Sequence, residues 1–411
     1  MTSHRSMLVG LLVGTALGLT ANALAPKAAL VKHFTEYVAA PAGQIFLRLL
    51  FMLVIPLLFS AIVLGISELE ISQLGRLGVR LIGYTVVVSA IAVLIGVGLV
   101  QIVGPGRGLG PEVRELAHAA ISIKPVSAPT DSSPVALIVN MIPDNVATAA
   151  AKGDMLALIV FSLIFGVGVL FTKTEAAQRL KAGLQGLYDV TLKIVEGVLR
   201  LAPIGVGALL FTTTARLGFD VLRHIGMYVL VVVLALAIHM FVVYSLSVKL
   251  LGGMNPLTFF RSIRLALTTA FSTASSNATL PTALKVANEN LGLPRHVSHL
   301  VLTAGASMNQ NGTALFEGVT VLFLAQVYDI PLTFGQQLVV VLVCILAGIG
   351  TAGVPAGSLP VIAMILGIVG VPIEGLGLVI GVDRFLDMCR TTLNVAGDLA
   401  AAVYVGKGER E

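Results

Sequence analysis

The chain has no tryptophan, only two cysteines, and charge on just 11% of its 411 residues. Soluble domains carry about 25% charged residues, so this sequence cannot clothe an ordinary water-facing surface. Cys344 and Cys389 both sit in apolar context. They read as small packing residues rather than a disulfide or a metal site. Without tryptophan, any aromatic belt at a membrane surface must come from Tyr and Phe. The histidines, His4, His33, His118, His224, His239, His296 and His299, are scattered and pair with no cysteine or carboxylate motif. An intramembrane enzyme would need a nucleophile–base pair or a metal cluster, so that class is disfavoured. The formal charge of +5 is modest. In a membrane protein it reflects cytoplasmic loops, and no nucleic-acid partner is expected.

What the chain does have is apolar length. Hydrophobic residues make up 56% of it, and mean hydropathy is +0.97. Stretches without Asp, Glu, Lys or Arg run over 7–25, 49–67, 81–106, 155–172, 225–248, 265–284, 296–316 and 330–373. A spanning helix needs roughly 20 mostly apolar residues, so the fold class is an all-α membrane protein. The first stretch does not read as a signal peptide, because only Arg5 supplies a basic flank and the apolar pattern continues. Spans are expected near 7–25, 44–67, 80–103, 135–172, 178–214 and 223–250. Pro143 and Asp144 interrupt the fourth. The fifth carries Arg179, Lys181, Asp189, Lys193, Glu196 and Arg200, which predicts one long, tilted, partly interfacial helix. The Gly-, Pro- and Ser-rich stretch 104–134 is expected to be a flexible loop.

The last 160 residues behave differently. The uncharged stretch 265–284 holds Ser272, Thr273, Ser275, Ser276, Asn277 and Thr279, then Pro281. The stretch 330–373 is too long for one span and carries Gly348, Gly350, Gly353, Pro355, Gly357 and Pro360 near its middle. Each reads as two half-helices meeting at an irregular tip. Such backbone is tolerated at membrane depth only against protein or a cavity, and paired broken segments point to a transporter's binding site. Two kinked spans packed through small residues are the structural alternative. Inner loops rich in Lys and Arg place both termini in the cytoplasm, although Arg216 and Arg223 run against the rule.

Chemistry concentrates on the final span. Asp383, Asp387, Arg390, Thr391, Asn394 and Asp398 recur at helical spacing and mostly share one face. Charges inside a span cost at least ~2.5–3.5 kcal/mol each at the centre, so they face a cavity or one another. Asp387 and Arg390 could neutralise each other at i,i+3, but that leaves Thr391, Asn394 and Asp398 unexplained. Upstream, Asn309, Asn311 and Gly312 suggest a helix unwound in mid-membrane. Its carbonyls and amide oxygens suit a small hard cation.

These motifs together resemble the glutamate transporter family, the dicarboxylate/amino acid:cation symporters, over nearly the whole chain. The span from Arg48 to Pro56 is similar to the family's second span. The run from Ser275 to Pro281 is similar to the tip of hairpin 1. Asn309-Gln-Asn-Gly-Thr313 stands where the family has Asn-Met-Asp-Gly-Thr, and Gly350 to Pro355 is similar to the tip of hairpin 2. The resemblance implies eight transmembrane helices plus two re-entrant hairpins, an elevator-type fold, and a homotrimer in the lipid bilayer of a bacterial or archaeal plasma membrane. It divides the chain into scaffold helices 1–2 (1–79), transport-domain helix 3 (80–103), scaffold helices 4–5 with their extracellular loop (104–222) and a transport domain (223–411).

Carried over residue by residue, the resemblance implies a symporter for an acidic amino acid, aspartate or glutamate. Arg390 would hold the side-chain carboxylate, helped by Thr313 and the Gly357 amide. A planar guanidinium suits a carboxylate bidentately. Asp387 would take the amino group with Thr391 and the carbonyls of Ala274 and Val354. Asn394 and the Ser276 amide, with Ser275 beside it at the hairpin tip, would take the α-carboxylate. One or two Na⁺ ions are implied as coupling ions. The first site is Gly305, Asn309, Asn394 and Asp398; the second lies near Ser307, Gly348, Ile349 and Thr351, with Gln310 in place of a Met. A third, deeper site looks dismantled, with Asn311 for an acidic ligand, Thr85 and Val88 for its partners, and Ser89 kept. Arg384 would supply the positive charge that some relatives place at the position of Ala274. Glu317 stands where proton-coupled relatives carry a proton, so H⁺ is a further candidate coupling ion. The rival readings are a C4-dicarboxylate:cation symporter of the same family and a passive channel. Asp387 speaks against the first, since a dicarboxylate has no ammonium, and the two hairpin signatures speak against the second.

Overall fold

A computed structural model describes residues 2–24, 28–67, 71–108, 139, 142–152, 155–350 and 358–409, and among these residues the regular elements are all helical. The chain opens with α1 (Thr2–Leu24), α2 (Ala29–Phe34), α3 (Ala40–Phe51), α4 (Val54–Ser67) and α5 (Ile71–Val103). The expected span over 44–67 is two helices, not one. Leu57 still donates to the Leu53 carbonyl at 3.1 Å and Met52 to Arg48 at 3.0 Å. Pro56 has no N–H to continue the ladder, and the chain turns at Met52 and Leu53.

After α6 (Val146–Lys152) and α7 (Met155–Phe171) come α8 (Glu175–Leu199) and α9 (Ala202–Leu217). Residues 142–145 are non-helical, as Pro143 and Asp144 predict. The long fifth span is corrected in the same way as the second. α8 and α9 are bent by 56° at Arg200 and Leu201, with Pro203 in the first turn of α9. Of the charged residues expected on one tilted helix, all but Arg200 fall before the bend, Arg200 stands at it, and the apolar half follows. The bend lets the polar half leave the axis of the apolar half, so the two need not share one membrane depth. The flexible loop expected at 104–134 lies almost wholly outside the described residues.

Among the described residues, two stretches, Arg76–Val103 and Leu222–Gly252, are long and apolar enough to cross a membrane. The second comprises most of α10 (Asp220–Ile238), α11 (Tyr244–Ser247) and two π-helical turns. Tyr84 of α5 and Ser247 of α11 share a buried hydrogen bond at 2.9 Å, and Tyr228 of α10 reaches Thr320 at 2.8 Å.

The C-terminal half builds the core. α12 (Pro256–Ser262) leads to α13 (Arg264–Thr273) and α14 (Ser276–Glu289), the two arms of the first expected hairpin. Then follow α15 (Arg295–Met308), α16 (Asn311–Val327), α17 (Phe334–Gly350), α18 (Ser358–Val369) and α19 (Leu376–Val405). α16 and α19 are buried along nearly their whole lengths. α5, α10 and α17 pack around α16, while α13, α14 and α15 lie against α19. An almost fully buried helix is apolar all round. α16 fits that rule except at Glu317, Thr320, Gln326 and in its first turn, where the polar side chains gather.

Candidate functional site

The site is assembled from a hairpin tip, a helix break and one polar stripe. α13 ends at Ala274, whose φ of 48° and ψ of 42° are left-handed. A side chain there is uncommon and marks a backbone held by its surroundings. Ser275 then starts α14, its Oγ accepting the Ala278 N–H at 3.2 Å, an ordinary N-cap. Ser276 is buried in the first turn. The second hairpin tip, 351–357, lies outside the described residues, and with it the expected roles of Thr351, Val354 and Gly357.

The helix break is narrower than the sequence suggests. Only Asn309 and Gln310 take non-helical backbone angles, while Asn311 and Gly312 already belong to α16. Asn311 can start a helix because its amide is satisfied sideways. Its Nδ2 donates to Asn309 Oδ1 and to Tyr244 Oη, both at 3.0 Å, and its Oδ1 accepts from Ser89 Oγ. Amide N–H groups therefore already occupy the oxygens of this deep position. Thr85 adds a buried hydroxyl with no partner among the described residues, and Val88 adds no oxygen at all. That set does not fit a cation.

The set around Asp398 fits one better, because it holds a buried carboxylate. Asn309 Nδ2 donates to Asp398 Oδ1 at 3.0 Å. Gly305 faces the same oxygen so closely that a Cβ on it would lie 2.6 Å away. The result is a buried carboxylate, an amide and a helix end in a cradle that only glycine permits. The carboxylate is a hard oxygen donor of the kind that suits Na⁺, and the Asn309 amide, which turns its NH₂ to Asp398 and its oxygen to Asn311, would add a second oxygen by turning over. Gly348 joins from α17, its carbonyl accepting the Gln310 N–H at 3.3 Å. Ile349 continues that helix. Ser307 points elsewhere and lines a cavity of about 240 Å³ between α4, α8, α14 and α15.

On α19 the whole stripe of Asp383, Asp387, Arg390, Thr391, Asn394 and Asp398 is buried. Arg390 is 2% exposed and holds two carboxylates: Asp387 at 2.8 Å and Asp383 at 3.1 Å. Arg384 reaches the other oxygen of Asp387 at 3.5 Å. The Arg390 guanidinium also lies over the Phe316 ring, 3.9 Å from its centre, a desolvated cation–π contact. Two guanidinium and two carboxylate groups thus form a ladder of no net charge. Gly312 lets α16 approach this ladder, since a Cβ there would meet the Arg390 carbonyl oxygen at 2.9 Å. Its N–H donates to Asn394 Oδ1 at 2.7 Å, and Asn394 Nδ2 donates to Thr313 Oγ1 at 3.2 Å. Glu317, one turn beyond Thr313, is wholly buried, and neither of its oxygens has a hydrogen-bond partner among the described residues.

Sequence reasoning missed three participants. Asp383 was seen on the stripe but given no partner, because it lies two turns from Arg390. Phe316 carries no polar signal. Gln310 registered only as an unusual residue for its motif, although its side chain contacts Asn394 and Thr313.

Comparison with known proteins gives the chain a family. Residues 4–408 match the model of the sodium:dicarboxylate symporter family. The chain is 34% identical over 377 residues to a proton/glutamate-aspartate symporter of Escherichia coli (strain K12), covering 90% of this chain and 85% of that protein. It is 34% identical over 370 residues to a proton/sodium-glutamate symport protein of Geobacillus stearothermophilus, covering 90% and 87%. It is 30% identical over 449 aligned positions to excitatory amino acid transporter 3 of Homo sapiens, covering 98% and 85%. With a match along essentially its full length, from the α1 helix to the end of the buried stripe on α19, the chain belongs to the sodium:dicarboxylate symporter family.

Proposed function

We propose that this protein is a secondary active symporter that moves an acidic amino acid, aspartate or glutamate, across a plasma membrane together with Na⁺ and H⁺. The observation that carries the reading is the ladder on α19, where one buried guanidinium faces one ammonium-seeking carboxylate, Asp387. An acidic amino acid brings a carboxylate for Arg390 and an ammonium for Asp387, so both charges of a broken pair find new partners. The names of the relatives, symporters of glutamate and aspartate, support the same class. Thr313, Thr391, Asn394 and the hairpin tip at Ala274, Ser275 and Ser276 would complete the pocket, with Val354 and Gly357 from the second tip.

Gly305, Asn309 and Asp398 would hold Na⁺, with Asn394 a turn away, and Gly348, Ile349, Ser307 and Thr351 would serve a second ion. In the working protein the N-terminal helices and α6 to α9 would form a static scaffold in a homotrimer. α5 and residues 223–411 would travel across the bilayer as an elevator, eight spans and two hairpins in all, with both termini cytoplasmic.

Radiolabelled uptake into proteoliposomes tests this, with Na⁺, pH and K⁺ gradients imposed one at a time. Saturable, gradient-driven uptake of aspartate or glutamate is expected, with one or two Na⁺ per substrate and a contribution from the pH gradient. The low count follows from Asn311, whose amide supplies N–H groups where a further cation would need oxygens. Three Na⁺ per substrate without pH dependence refutes the coupling scheme; uptake that does not saturate refutes the symporter.

Glu317 is the candidate proton carrier. A buried carboxyl with no fixed partner is the arrangement found in intramembrane proton relays. Glu317→Gln keeps the shape and removes the titration. Proton-driven uptake should fall to background while exchange of substrate across the bilayer persists. Unchanged pH-gradient-driven uptake in this variant makes Glu317 structural.

A further inference from the structure

We propose that Gln310 is a positioning residue for Asn394 and so sets how the pocket takes the substrate's α-carboxylate, an inference that rests on the acidic amino acid reading above. Gln310 lies in the break between α15 and α16 and is 3% exposed. Its Nε2 donates to the Ala306 carbonyl at 2.8 Å. A carbonyl can only accept, so this contact dictates which way the Gln310 amide faces. Oε1 is left on the opposite side, where it accepts from Asn394 Nδ2 and, at 3.4 Å, from Thr313 Oγ1.

The far end of the chain of contacts is pinned just as firmly. The Gly312 N–H can only donate, and it donates to Asn394 Oδ1 at 2.7 Å. Asn394 must therefore turn its NH₂ group toward Gln310 and Thr313. Two side-chain amides in series connect a carbonyl before the break to an N–H after it, by way of a second helix. Flipping either amide would set like against like at a buried contact.

Asn394 Nδ2 has two hydrogens, and both are engaged, one by Gln310 and one by Thr313. A substrate carboxylate can therefore claim only one of them by exchange. Thr313 is the partner able to yield, since its hydroxyl can rotate and its own bond to Gln310, at 3.4 Å, is long. Gln310 cannot yield without also losing Ala306. It keeps Asn394 anchored by one N–H while the other turns to the substrate.

The test is a mutant cycle on purified, lipid-reconstituted protein. Gln310→Met preserves length and volume but removes both hydrogen-bonding groups, with Gln310→Leu as the second variant if the first is not recovered folded. Two ligands are compared: aspartate, and aspartate whose α-carboxylate is replaced by a carboxamide. The variant should bind aspartate about 3- to 10-fold more weakly, the range for losing one neutral hydrogen bond. The preference for aspartate over its α-amide should shrink by the same factor. In an Asn394→Ala background the Gln310 substitution should change affinity less than about 2-fold, because coupled residues do not add. Unchanged aspartate affinity, an equal loss for both ligands, or a loss that persists undiminished without Asn394 each overturns the assignment. A parent protein that binds neither aspartate nor glutamate refutes the transport reading instead, before any variant is compared.

Discussion

Replacing Arg390 with Ala is expected to abolish binding of aspartate and glutamate. Arg390 presents a fixed guanidinium edge inside a dry site, 2% exposed and stacked on Phe316. Losing one partner of a buried, hydrogen-bonded charge pair costs about 2–5 kcal/mol of binding, or at least about 30-fold in affinity. Asp383 and Asp387 share that guanidinium, so the substitution also strands Asp383 and leaves Asp387 with the longer Arg384 contact alone. Leaving a buried charge unpaired costs roughly 3–5 kcal/mol, so a lowered melting temperature should accompany the lost binding. Arg390→Lys separates the two effects. It retains a charge for the aspartates and hence most of the stability, but a point charge cannot reproduce the bidentate fork. Calorimetry and thermal unfolding on both variants decide the matter. An Arg390→Ala protein that binds aspartate with parental affinity overturns the assigned role.

The second large effect is expected from Asp387→Ser, which should exchange one substrate class for another. In the parent, Asp387 is held between Arg384 at 3.5 Å and Arg390 at 2.8 Å. With serine in its place, the ladder of two guanidinium groups and one carboxylate carries a net positive charge. An amino acid then brings an ammonium that finds no carboxylate. Its affinity should fall by a factor similar to that for Arg390→Ala, since again one buried charge loses its partner. A C4-dicarboxylate such as succinate or malate brings only negative charge to a site now short of it and should be admitted. Competition of both classes against labelled aspartate measures the switch. A variant that still prefers aspartate over succinate as strongly as the parent shows that the ammonium pairs elsewhere.

Much of this was legible along the chain, for identifiable reasons. A stripe repeated at 3.6 residues is a local property of a helix, so Asp383, Asp387, Arg390, Thr391, Asn394 and Asp398 could be placed on one face before any coordinates, and all are buried together. The break between α13 and α14 was legible because an uncharged, serine-rich segment of that length has few other uses in a bilayer. The break before α16 was legible from its Asn and Gly residues. It proved shorter than expected, because Ser89, which the resemblance groups with Asn311, and Tyr244, which nothing in the sequence points to, satisfy the Asn311 amide and let the helix begin early.

A helix break at Met52–Leu53 and a bend at Arg200–Leu201 escaped notice. Hydropathy runs straight through a kink, and a proline near the start of a helix is as compatible with continuation as with a break. Sequence alone thus determined that the chain is helical and membrane-embedded, and which face of its last span carries charge. The tertiary structure alone decided what each of those charges touches. Arg390 reaches Asp383 two turns away instead of pairing only with its nearer neighbour, and Gln310 meets Asn394 across 84 positions of chain. Periodicity sorts residues by face, but a hydrogen bond depends on ångström-scale direction. That direction is set by α16 and α19 closing together over Gly312, where any side chain would hold them apart.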